Sequence, residues 1–184
     1  MAKIPFSEYR KENLVDLMQQ FQINHYLPIR ETCIGICAEA QELSNQPAPT
    51  SVHLYASLCI KLTEEIREEL DRNNATLVPY LRQLHEKELT GHNCLSCAGG
   101  CKIKHVQQVQ IIREAQQKIK EIIYRLGQLS HPINEQHPEN RAPHEKLQRD
   151  IQQLDNQITE IFYLEEAILI PKILDAQINI NAVN

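Results

Sequence analysis

Glycine is scarce in this chain, tryptophan is missing, and aromatic residues make up 5% of it. Five glycines in 184 residues give little of the turn punctuation that an all-β chain needs, so sandwiches and barrels are excluded as expectations. No apolar run approaches the roughly 20 residues of a membrane-spanning helix, and no membrane role is expected. The opening Met1-Ala-Lys-Ile-Pro-Phe-Ser7 is too polar for the apolar stretch of a signal peptide, and the expected address is the cytoplasm. There is no dense Lys/Arg block, and the formal charge is −5. Nucleic acid is therefore not expected as the main partner. Neither a phosphate-cradling glycine loop nor a serine–histidine–acid pattern occurs, which leaves nucleotide binding and nucleophilic hydrolysis without support. Whether the chain is an enzyme stays open.

What is present is leucine, isoleucine and alanine at three- and four-residue spacing, the mark of amphipathic helices. A first helix is expected from about Ser7 to Leu43, with Leu14, Leu17, Phe21, His25, Ile29, Cys33, Ile36 and Ala40 on one stripe. Pro28 should kink or split it, since proline lacks an N–H and crowds the carbonyl one turn back. After the linker 45–50, capped at Thr50 or Ser51, a second helix runs to about Leu89, with Pro79 as another kink. Gly91 to Cys101 reads as a loop, and a third helix from about Lys102 to Leu129 carries His105, Val109, Ile112 and Ile119 inward. A proline- and histidine-rich connector from Ser130 to Pro143 leads to a fourth helix, from about His144 to Leu174, with a frayed tail after Ala176. The expected fold is all-α, one antiparallel four-helix bundle spanning residues 1–184.

The two halves repeat. Helix one carries His25-x3-Ile29 and helix three His105-x3-Val109. On helices two and four, Glu69/Ile161, Asn73/Glu165, Asn74/Glu166, Leu77/Leu169 and Pro79/Pro171 align without a gap. Two similar hairpins of this kind say more than amphipathicity alone would. On these residues, and above all on Leu164-Glu-Glu-Ala-Ile-Leu-Ile-Pro171, the chain resembles the hemerythrin-like cation-binding bundles. That resemblance implies His near the start of helices one and three, and His-x3-Glu followed by an apolar run and proline on helices two and four. Residues four apart share a helix face, so such a set turns imidazoles and carboxylates into the bundle core, where they ligate non-heme iron. Here Glu69 and Ile161 stand where the family has histidine, and Asn73 where it has a bridging carboxylate. His25, Glu69, His105 and Glu165 remain as a candidate set for one iron, manganese or zinc ion. The resemblance further implies a role in handling oxygen, nitric oxide or oxidative damage.

A second candidate is the loop His92-x-Cys94-x2-Cys97-x3-Cys101, ahead of His105. Three thiolates and a histidine can hold zinc or an iron–sulfur cluster, Cys94 and Cys97 can form a redox pair, and free thiols are the third alternative. Cys33, Cys37 and Cys59 are expected to pack as small apolar residues. Glu64 and Glu68 are expected on a solvated face, with Glu69 at best partly inward. Besides the metal-binding reading, two others stand: a metal-poor helical interaction module with a degenerate site, and a thiol-based metal or redox protein. A protein partner or a homodimer through exposed helix faces stays open.

Overall fold

Helical spacing becomes helix throughout this computed structural model, in which no strand occurs among the described residues. The structure describes residues 6–91, 100–136 and 141–182, with side chains for 6–91, 107–129 and 142–180. The α-helices are α1 (Phe6–Tyr9), α2 (Leu14–Phe21), α3 (Leu27–Ser44), α4 (Thr50–Arg72), α5 (Val78–Leu89), α6 (Gly100–Gln136), α7 (Arg141–Leu164) and α8 (Ile170–Ala182). Every predicted inward position from Leu14 to Ala40 is buried except His25, which is half-buried.

Several boundaries differ from expectation. The first arm is interrupted after Tyr9, and Asn13 restarts it. Its side-chain oxygen accepts the Val15 and Asp16 N–H groups, both at 2.9 Å, satisfying two donors that a new helix leaves orphaned. The carbonyl of Pro49 accepts from Val52 at 3.0 Å and His53 at 3.2 Å, so Pro49, not Thr50 or Ser51, occupies the capping position of α4. Helix α6 continues beyond Leu129 to Gln136, α7 starts at Arg141 ahead of His144, and α8 reaches Ala182. The tail expected to fray is held because Ala176 and Ile180 are buried.

The prolines do not simply kink the helices. Each of Pro28, Pro79 and Pro171 is preceded by a five-residue π-helical segment: Gln22–Tyr26, Asn73–Leu77 and Glu165–Leu169. In every case the segment starts six residues before the proline and ends two before it. In the second and third, the Val78 and Ile170 N–H groups reach five residues back, to the Asn73 and Glu165 carbonyls. The inward stripe explains the need for a wider turn. It advances by at least three successive steps of four in each arm: Phe21, His25, Ile29, Cys33; Glu69, Asn73, Leu77, Leu81; Ile161, Glu165, Leu169, Ile173. An α-helix drifts about 40° over each such step, and a single π turn absorbs the surplus.

The chain forms two compact units. The first takes in residues 6–25, 71–91, 100–114 and 160–182, and in it α5 packs against α2 and α8. The second takes in 26–70, 115–136 and 141–159. In the second unit Lys146 of α7 pairs with Glu39 of α3, and Lys118 of α6 pairs with Glu65 of α4.

The repeat is deeper than the sequence alone shows. With the shift of 92 that aligns Pro79 with Pro171, buried residues match between α4–α5 and α7–α8. Val52, Tyr55, Cys59, Leu62 and Ile66 fall on His144, Leu147, Ile151, Leu154 and Ile158, and every one of these is buried. Glu69, Asn73, Leu77, Leu81 and Leu84 fall on Ile161, Glu165, Leu169, Ile173 and Ala176, again all buried.

Candidate functional site

The π segments aim polar residues inward. Asn73 and Glu165, the first residues of two of them, are each only 4% exposed. Their successors, Asn74 and Glu166, face outward and tie these two π segments to Gln22 and Arg113. The Gln22 side-chain amide donates to Asn74 Oδ1 at 2.7 Å. Arg113 grips Glu166 with a two-pronged fork, Nε to Oε1 at 3.1 Å and Nη2 to Oε2 at 3.2 Å. The doubled glutamate Glu165-Glu166 thus divides its roles, one carboxylate inside and one outside.

His25 lies in the first π segment, within the same unit as Asn73 and Glu165. Its Nε2 and the hydroxyl of Tyr9 are hydrogen-bonded at 3.0 Å. The break after α1 puts Tyr9 there, 3% exposed, and an aromatic cluster fixes it. Phe21 meets Tyr9 edge-on with ring centroids 5.6 Å apart, and meets His25 edge-on at 6.0 Å. Burial pushes the Tyr9 phenol above its ordinary range; a side-chain hydrogen bond with Asn24 works against this, and the nearby Glu160 carboxylate adds to it.

Of the other candidates, Glu69 is 6% exposed and more deeply buried than expected, because it comes after Ile66 on the inward stripe of α4; it belongs to the second unit. Glu64 and Glu68 are exposed as anticipated. Ile161, at the histidine position of the resemblance, is 2% exposed and part of the apolar core. His92, Cys94 and Cys97 lie outside the described residues, as do the side chains of Cys101 and His105, whose backbones sit at the start of α6. Among the described residues no group of three His, Cys, Asp or Glu side chains is arranged to hold a metal ion.

The second unit buries a polar cluster that sequence patterns did not point to. His144, assigned to the edge of the connector, is fully buried and lies edge-on to Tyr55 with centroids 4.5 Å apart. Burial lowers its pKa from the ordinary histidine value, and Glu145 partly opposes that. The Tyr55 hydroxyl donates to Cys59 one turn on. Cys33 and Cys59 are buried free thiols: burial pushes Cys33 up to about 12 and Cys59 likewise above its usual range. Neither supplies a thiolate at neutral pH, which agrees with their reading as small apolar residues. The signal for His144 was present in the gapless shift of 92, which sets it opposite Val52.

Compared with known proteins, the chain matches no family model, no curated protein and no solved structure. Among the described residues no helix is long and apolar enough to cross a membrane.

Proposed function

We propose that this chain is a divergent hemerythrin-like antiparallel four-helix bundle that takes up one non-heme metal ion, iron first, in the interior of its first unit. The observation that carries the reading is the placing of His25 and the buried carboxylate of Glu165 on π segments of that one unit. A carboxylate is costly to take out of water unless protons, hydrogen bonds or a cation compensate it. Nitrogen and carboxylate donors are the set that iron, manganese and zinc accept. The resemblance adds His105 as a further donor and a role in the handling of oxygen, nitric oxide or oxidative damage. A two-iron centre is not part of the proposal. Asn73 offers an amide where a bridging carboxylate is needed, and Ile161 offers nothing. When bound, the ion would supply Lewis-acid or redox chemistry; the chain's own part is to hold the donors of its first unit inward.

The test is metal content in two variants. His105→Ala and Glu165→Ala should each lose the metal, with helicity by circular dichroism largely retained. Stoichiometric metal in both variants would defeat the proposal.

A second reading has its own support. Ile161 fills its site with an apolar side chain, and the Tyr9 hydroxyl already engages His25, so the shape stands without an ion. On that reading the chain is a helical interaction module, and the wild type holds no metal at any stage of purification. A thiol site at Cys94, Cys97, Cys101 and His92, taking zinc or acting in redox chemistry, would be marked by metal loss in Cys94→Ser and Cys97→Ser instead.

A further inference from the structure

We propose that Tyr9 is a ligand of the metal ion, binding as a phenolate next to His25; the assignment rests on the metal-binding reading above. Tyr9 has no counterpart in the ligand pattern of the resemblance, and geometry alone brings it in. Its hydroxyl oxygen and His25 Nε2 stand 3.0 Å apart. Two adjacent ligands at right angles on one ion, with bonds of about 2.1 Å, are separated by about 3 Å. The hydrogen-bonded pair therefore already has the spacing of two neighbouring ligands, and an ion seated between them and the interior would need little side-chain movement. The phenol is buried at the end of α1, with Phe21 packed edge-on against it. A phenolate also supplies the donor that Asn73 and Ile161 do not, and it favours ferric over ferrous iron because it is an anionic oxygen ligand.

Binding breaks the Tyr9 O–H bond, forms an oxygen–metal bond and sends the proton to water. His25 binds in the tautomer with its ring proton on Nδ1, so that the Nε2 lone pair faces the ion. No electron changes hands if the iron enters as Fe(III).

Full-length protein and its Tyr9→Phe variant would be incubated with ferric citrate and desalted. Iron per chain is then measured on the same samples as visible absorption and resonance Raman spectra. The wild type should show a phenolate-to-ferric charge-transfer band with phenolate ring modes. Tyr9→Phe keeps the ring, so its packing with Phe21 persists; it should lose the band and bind iron more weakly by about tenfold or more, the scale on which even outer-shell partners act. Iron-loaded wild type without the band, or Tyr9→Phe with the band intact, overturns the assignment and leaves the metal reading standing. Wild type that binds no iron overturns both. The Raman measurement on wild type does not depend on how the variant folds.

Discussion

Single residues show how far one position can depart from its sequence neighbourhood. His144 sits beside Pro143 and at the edge of a segment rich in proline and histidine, which reads as a spacer. Yet it is fully buried against Tyr55. Its folded pKa lies below that of the unfolded chain because burial penalises the charged ring. Above about pH 6.5 both states are neutral and the full stability is present. Below that, the unfolded chain takes a proton that the folded one refuses, so stability falls until the lowered folded pKa is reached. Each unit of separation between the two pKa values is worth about 1.4 kcal/mol. The urea midpoint of the wild type should drop between pH 7.5 and pH 5, and His144→Leu should flatten that drop. An equal drop in the variant would remove His144 from the explanation. Asp150 contributes with the opposite sign and at more acid pH: burial and the neighbouring Glu39 carboxylate raise its pKa, so its stabilisation is present at low pH and lost as pH rises through the raised value. Glu69 teaches the converse lesson. A run of acidic residues hides an inward carboxylate when one member falls in step with Ile66.

Among helices and turns, the recurrent device is a π segment closed two residues before a proline. Proline spacing in the sequence pointed to a kink, which is half the answer. The other half was present as three or more successive four-residue steps in each inward stripe, a drift of about 120° that carries an undistorted α-helix off one face. Asn13 shows a second kind of signal: the apolar stripe begins only at Leu14, so periodicity could not place the break after Tyr9, and the side-chain chemistry of asparagine marks the restart. If the π turn stores one surplus residue, deleting exposed Ala75 should convert Asn73–Leu77 to an α turn without rotating α5. Far-ultraviolet circular dichroism and cooperative melting should then be retained. Deleting buried Ala56 from α4, where no surplus exists, should rotate the downstream face by about 100° and abolish cooperative folding. Equal damage from both deletions would refute this account of the π turn.

Across the whole molecule, the all-helical class and the inward stripes came directly from periodicity. Val109, Ile112 and Ile119 are buried, as are Leu147, Ile151, Leu154, Ile158, Ile161 and Leu164 along α7. The repeat, read from five aligned pairs, extends over α4–α5 and α7–α8. The two compact units could not be read, since they cut across continuous helices that no composition change divides. For the candidate site, His25 and Glu165 were found by resemblance and placed by the structure in one unit, but Tyr9 was invisible: it precedes the periodic stripe, and only three-dimensional packing brings it to His25. The pair is separated by a helix break that no spacing rule spans. The central claim is that this interior holds one metal ion. The measurement is elemental analysis of full-length protein purified without oxygen or chelator, normalised to chain concentration. About one iron, or another ion of the same donor preference, per chain is predicted. A folded, fully helical protein with no stoichiometric metal would contradict the claim and leave the interaction-module reading in its place.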